Sequence, residues 1–239
     1  MRDSPRATAQ RAIPWFAIAA LGLACAAASV RAQVPPSDAE IQGYGPLHAA
    51  ALRGDLPTLA ATLAGRAPID ARDGHGRSAL HVATFASQHE AIRLLAAAGA
   101  DLGALEQDRY DALTIAAVAD DEETLALLLS LGASAKLTTS RYDGTALIAA
   151  AHFGHDGVVR RLIAAGAPLD HVNNLHWTAV IEAVVLGDGG PRHQATLRAL
   201  VDAGADLNIP DREGRSALQL ARSRGLKEMA HILEAASKR

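Results

Sequence analysis

The chain of 239 residues contains one cysteine, Cys25, and that cysteine lies in an apolar segment near the N-terminus. If this segment is removed by cleavage, no cysteine is left. Disulfides, zinc sites built from cysteine and a cysteine nucleophile are then excluded. The stability of the remaining chain must come from packing, and about 200 residues are enough to bury a sizeable core.

Residues 1–32 have the pattern of a secretory signal peptide. Three arginines precede an apolar run over 12–30, and Val30 and Ala32 occupy the positions that a signal peptidase reads, which predicts cleavage after Ala32. The alanine-rich leader favours a bacterial source and hence the periplasm. Two alternatives remain. The run is about long enough for a retained membrane anchor, and Cys25 would suit a lipid anchor, although Gly22 stands where a branched apolar residue is usual.

A basic excess is also missing from this chain. It has 23 Lys and Arg residues against 26 Asp and Glu, a net charge of −3. Loss of the predicted leader removes four arginines and one aspartate, which leaves 19 basic and 25 acidic residues and a net charge of −6. Nucleic acid and anionic membranes attract basic surfaces. We therefore predict neither as a partner, and no membrane contact after cleavage.

A motif of about 33 residues repeats along the rest of the chain. Its central apolar residues are separated by 33, 33, 34, 33 and 38 residues: Leu47, Leu80, Leu113, Leu147, Val180 and Leu218. In one copy, Ser78 is placed to cap a first helix and Gly99 to end a second helix. Two short helices in each repeated unit predict an all-α helical solenoid, in which neighbouring units cover one another.

The repeats resemble the ankyrin-repeat family, through Pro-Leu-His-Ala-Ala at 46–50, Ala-Leu-His-Val-Ala at 79–83 and Ala-Gly-Ala-Asp at 98–101 and 203–206. The resemblance covers residues 43–236. It implies six repeats, each with a helix–turn–helix and a hairpin loop, near 43–72, 73–105, 106–139, 140–172, 173–210 and 211–236. It also implies that His48 and His81 form hydrogen bonds between repeats. Residues 33–42 are predicted to be an extended or irregular linker.

Six aromatic residues follow the leader, and they are the candidate partner-binding residues: Tyr44, Phe85, Tyr110, Tyr142, Phe153 and Trp177. Their spacing from the central apolar residues puts four of them near the hairpins and two late on first helices. In similar ankyrin-repeat proteins these positions line the concave groove. Exposed aromatic rings provide a large contact area at low cost in conformational entropy. The alternative is that the rings pack between neighbouring hairpins.

Three polar clusters allow other interpretations. His152 and His155 are three residues apart, as zinc ligands can be. Residues 120–123 are all acidic, but they suit the positive N-terminal end of a second helix better than a cation. The segment Gly187–His193 is glycine-rich, yet it lacks the lysine and hydroxyl residue of a phosphate-binding loop. A lengthened loop that makes a secondary contact is the favoured interpretation of this segment.

The sequence therefore predicts a non-enzymatic protein–protein interaction module in the periplasm, monomeric and without catalytic residues, metal or cofactor. It does not identify the partner. A secreted effector that acts on foreign or host proteins is the first alternative. A metal-dependent enzyme that uses His152, His155 or the loop around Asp188 is a remote one.

Overall fold

The computed structural model describes residues 35–237, and the predicted leader lies outside this range. The described residues form 13 helices and no β-strand, apart from one isolated bridge between Thr139 and Gly144. The helices are α1 (Asp38–Gln42), α2 (Pro46–Arg53), α3 (Leu56–Ala64), α4 (Ala79–Phe85), α5 (His89–Ala97), α6 (Ala112–Val118), α7 (Glu122–Ser130), α8 (Ala146–Phe153), α9 (Asp156–Ala164), α10 (Ala179–Val185), α11 (Pro191–Asp202), α12 (Ala217–Ser223) and α13 (Lys227–Ala236). No helix within residues 35–237 is long and apolar enough to cross a membrane.

Helices α2 to α13 form six antiparallel pairs that stack side by side. The first helices of the pairs (α2, α4, α6, α8, α10, α12) pack on one another, and the second helices form a second layer. Through the first four repeats the first helices are in more extensive contact with one another than the second helices are. We call the surface formed by the first helices and the hairpin segments that precede them the inner face.

Side-chain caps explain where the helices begin. Ser78 is the N-cap of α4, as predicted, and its backbone N–H donates to Nδ1 of His81 over 3.1 Å. Asp55 and Asp111 accept a hydrogen bond from the backbone N–H three residues further on, which satisfies a free donor at the start of α3 and of α6. Gly99 follows the end of α5 with φ of 91°, a conformation that costs glycine little.

The core runs continuously between the two helix layers. Five of the six central apolar residues predicted from the sequence are buried, with at most 6% of their surface exposed. The sixth, Leu218, is only partly buried and packs against the core. It lies in the last repeat of residues 35–237, and within that range no further repeat packs on it.

The inter-repeat hydrogen bonds implied by the family resemblance are confirmed. Nε2 of His48 lies 3.0 Å from the carbonyl oxygen of Arg77, and Nε2 of His81 lies 3.1 Å from that of Tyr110. Because Nδ1 of His81 accepts from Ser78, its Nε2 carries the proton and donates to Tyr110. Burial lowers the pKa of His81 to about 4, so this histidine is neutral at pH 7.

The segment predicted to be an irregular linker contains a helix, α1. The Ser37 hydroxyl and backbone N–H both donate to the Glu40 carboxylate, over 2.6 and 2.7 Å. This carboxylate also pairs with Arg77, which is 3% exposed at the start of the second repeat. The hydrogen bond from Ser37 is the main reason why the pKa of Glu40 falls to about 2. Helix α1 is thereby fixed onto the N-terminal end of the repeat array.

The extra residues of the fifth repeat, for which the sequence predicts a lengthened loop, do not form only a loop. They lengthen α11, which has 12 residues where the equivalent helix α9 has 9. His193 in its first turn is 9% exposed and lies 3.0 Å from the carbonyl oxygen of His152. Arg192 donates to Asp120 over 2.6 Å, across the turn of the intervening repeat. The insertion therefore braces three repeats against one another.

Candidate protein-binding surface

All six candidate aromatic residues lie on hairpin segments or first helices. Tyr44, Tyr110 and Trp177 precede α2, α6 and α10, and Tyr142 lies in the hairpin between Thr139 and Gly144. The two phenylalanines are the last residues of first helices, Phe85 in α4 and Phe153 in α8. The second helices α3, α5, α7, α9, α11 and α13 contain no aromatic residue. The aromatic side chains are thus confined to one side of the array.

The exposure of these rings differs from the expectation of an exposed row. Tyr110 is only 7% exposed, so the expectation is wrong for this residue, whose ring is buried where two hairpins meet. Its burial raises the pKa of the phenol to about 12. The other five rings are half-buried, with part of each surface open to solvent.

Two of the half-buried rings also support the fold. The Tyr44 hydroxyl donates to Oδ2 of Asp73 over 2.9 Å and so ties the first repeat to the next hairpin. Burial, with a further contribution from this hydrogen bond, raises the pKa of Tyr44. Trp177 packs partly against the core. Tyr44 and Trp177 are therefore used in part within the fold, and Tyr110 is buried in it.

Phe153 lies over the histidines that the sequence offered as zinc ligands. Its ring centroid is 4.4 Å from that of His152 and 5.4 Å from that of His155. The two histidines have different partners, since Nδ1 of His152 is 3.1 Å from Oε1 of Glu182 and Nδ1 of His155 is 3.0 Å from the carbonyl oxygen of Ala117. Among residues 35–237 no three His, Cys, Asp or Glu side chains are grouped to hold a metal ion.

Three of the four acidic residues at 120–123, namely Asp120, Asp121 and Glu122, are used within the fold. Asp121 is the N-cap of α7, and its carboxylate accepts from the backbone N–H of Thr124 over 2.9 Å and from the Ser87 hydroxyl over 2.6 Å. Glu122 pairs with Arg161 over 2.9 Å. Their position at the start of a helix agrees with the helix-dipole interpretation.

The repeat register reveals a further set of inner-face residues that the search for aromatics missed. The fifth residue after the central apolar residue forms a half-buried stripe along the first helices of five repeats: Leu52, Phe85, Val118, His152 and Val185. Four of these residues are apolar. The stripe therefore provides a part of the inner face that is mostly apolar and partly open to solvent.

At another equivalent position of the repeats, one residue is charged and the others are apolar. The second residue after the central apolar residue is apolar in five repeats: Ala49, Val82, Ile115, Ala149 and Leu220. In the fifth repeat it is Glu182, which is 6% exposed. Comparison of the aligned repeats would have found this residue from the sequence.

Stacked pairs of short helices with hairpins between them define a helical-repeat protein, which presents an extended surface rather than a closed active site. The family model described as ankyrin repeats in three copies matches residues 18–106, 47–139, 113–211 and 147–238. The chain belongs to the ankyrin-repeat family. The first match begins inside the predicted leader.

Three similar proteins agree with this assignment. An ankyrin repeat domain from Acinetobacter baumannii AYE is 42% identical, with a TM-score of 0.75, over 80% of this chain and 97% of that one. The ankyrin repeat domain of Bcl-3, of the IkappaB protein family, is 27% identical, with a TM-score of 0.73, over 81% and 86%. The ankyrin repeat protein YahD of Escherichia coli (strain K12) is 38% identical over 98 residues, or 41% of this chain. The match spans about half of that relative, 49% of its length.

Ankyrin repeats are protein–protein interaction modules, and their fold is generally a non-catalytic scaffold. This general function agrees with a surface that has a mostly apolar stripe and aromatic rings on one side.

Proposed function

We propose that the protein acts in the periplasm, after cleavage of its leader, and holds a partner protein against its inner face. The binding residues are the half-buried rings of the inner face, namely Tyr44, Phe85, Tyr142, Phe153 and Trp177. Tyr110 supports this surface from below. The repeat array supplies a rigid frame, so the partner is bound without a large ordering cost.

The distribution of the aromatic residues is the observation that carries this proposal. All six lie on hairpins or first helices, and the second helices have none. Packing within the fold accounts for Tyr110 and in part for Tyr44 and Trp177, but it leaves the open surface of Phe85, Tyr142 and Phe153 without a role in a spacer that has no partner. Aromatic side chains are enriched at the centres of protein interfaces, where partial exposure in the free protein leaves surface to be buried.

Affinity capture from a periplasmic extract tests the binding surface with matched variants. Phe153→Ala/Trp177→Ala removes two half-buried rings from the inner face. The control Leu94→Ala/Leu129→Ala removes two half-buried side chains from second helices. We expect the wild type and the control to retain the same partner, and the inner-face variant to lose it at least tenfold. Equal retention by both double variants would move the site away from the inner face.

Cell fractionation tests the compartment. We expect the processed chain in the osmotic-shock fraction, shortened by the length of the predicted leader. Accumulation in the culture medium would favour the secreted-effector alternative instead. An unprocessed chain in the membrane fraction would support a retained anchor.

A further inference from the structure

Glu182 is an ionisable side chain buried at a position where the other five repeats have apolar residues. It lies on α10 and is 6% exposed. Its Oε1 atom is 3.1 Å from Nδ1 of His152 on the neighbouring first helix, α8. Its Oε2 atom is buried and has no hydrogen-bond partner among the described residues. Glu182 is thus only half satisfied by the fold.

Such a carboxylate is costly for stability. Burying a charged group without complete pairing is strongly unfavourable, and buried polar atoms are nearly always hydrogen-bonded. The aligned repeats show that the fold accepts valine, isoleucine or leucine at this position, as at Val82, Ile115 and Leu220. Packing therefore does not require the glutamate.

The surroundings of Glu182 favour a cation from outside. Among residues 35–237, His152 is the residue whose side chain lies within hydrogen-bonding distance of the Glu182 carboxylate. It has 16% of its side chain exposed, twice the 8% of Glu182, and belongs to the stripe along the inner face. Phe153 packs on the His152 ring. The guanidinium of Arg224 is close to the end of α10, but it donates to the carbonyl oxygens of Val184 and Gly187.

We propose that Glu182 is the recognition point on the inner face for a lysine or arginine side chain of the partner protein. This inference rests on the proposed function and adds the chemistry of the partner. The incoming cation reaches the buried carboxylate by displacing the more exposed His152 ring, and an arginine then contacts both oxygens in the bidentate geometry that guanidinium and carboxylate favour. The predicted net charge of −6 for the exported chain attracts such a partner.

A random peptide library displayed on phage tests this proposal without knowledge of the partner. Peptides are selected on the exported wild-type protein, and their affinities are then measured for Glu182→Gln and for Glu123→Gln. The control residue Glu123 is exposed on the second helix α7, away from the inner face. Each of the two variants replaces one glutamate by glutamine, so the change in chemistry is the same. Melting curves check that each variant is folded, and Glu182→Leu, which copies Leu220, replaces Glu182→Gln if the amide does not fold.

We expect the selected peptides to share a lysine or arginine, and their affinity to fall about tenfold or more with Glu182→Gln but not with Glu123→Gln. When that basic residue of the peptide is replaced by glutamine, the affinity of the peptide for the wild-type protein should fall by the same factor. Its affinity for Glu182→Gln should not fall further. Peptides without a shared basic residue, or with unchanged affinity for Glu182→Gln, would overturn the inference.

The same peptides separate this failure from failure of the proposed function. Peptides that lose affinity for Phe153→Ala/Trp177→Ala but not for Glu182→Gln bind the inner face without the carboxylate, so only the inference fails. Peptides insensitive to both changes bind elsewhere, and selection of no peptide at all would show no binding surface. Either of these two results would overturn the inference and the proposed function together.

Discussion

Tyr110→Ala should destabilise the protein as strongly as the loss of a core aromatic residue. The ring is 7% exposed, and the Tyr110 backbone carbonyl accepts the hydrogen bond from His81 that joins two repeats. Truncation would leave a cavity between hairpins. Large-to-small changes at buried aromatic positions cost about 3–5 kcal/mol, and in a domain of this size such a loss lowers Tm by about 10 °C.

Urea unfolding followed by circular dichroism measures this loss, with Tyr110→Phe as the control. The phenylalanine keeps the buried ring, so we expect it to change the free energy of unfolding by less than about 1 kcal/mol. A loss below about 1 kcal/mol for Tyr110→Ala would refute the reasoning. It would mean that the ring is free to contact a partner, as the sequence alone had suggested.

Three other predictions concern the same unfolding measurement. Leu147→Ala should cost about 3–5 kcal/mol because its side chain is fully buried, and Leu218→Ala about 1 kcal/mol because the last repeat leaves it half exposed; equal losses would contradict this difference. The unfolded chain binds a proton at histidine below pH about 6.5, whereas folded His81 stays neutral down to about pH 4. The free energy of unfolding should therefore decrease by up to about 3 kcal/mol as the pH is lowered from about 6.5 to about 4. This decrease should be smaller in His81→Gln. If the wild type and His81→Gln showed parallel pH profiles, His81 would not be a buried neutral histidine. Glu182→Leu should raise the free energy of unfolding by about 1–2 kcal/mol, since it removes a half-satisfied buried charge, and a loss of that size would mean that the carboxylate stabilises the fold.

The repeat architecture could be predicted from the sequence because it depends on local periodicity. The central residues from Leu47 to Val180 are buried as their spacing predicts, and Ser78 and Gly99 begin and end helices as their chemistry suggests. Each of these features is set within one repeat or between neighbours, where the pattern recurs.

The features that were not predicted depend on contacts between distant residues. Helix α1 is held by Glu40 against Arg77, and the brace of the fifth repeat joins Arg192 to Asp120, 72 residues away. The spacing of Tyr110 from Leu113 matches that of Tyr44 from Leu47, so spacing alone could not separate a buried ring from a half-buried one.

The inner face as a binding site was also only partly visible in the sequence. The aromatic residues were identifiable, but exposure depends on how neighbouring hairpins pack. The role of Glu182 could have been suspected from the alignment of the repeats. That Oε2 of Glu182 has no partner among the described residues follows only from the packing of α10 beside α8.

Hydrogen–deuterium exchange of the protein with and without its captured partner tests the central claim most directly. We predict slower exchange, on binding, in peptides from the first helices and hairpins, most of all around Phe153, Trp177 and Glu182. Exchange in the second helices α5, α7 and α9 should stay unchanged. Protection confined to the second helices, with the inner face unaffected, would contradict the account.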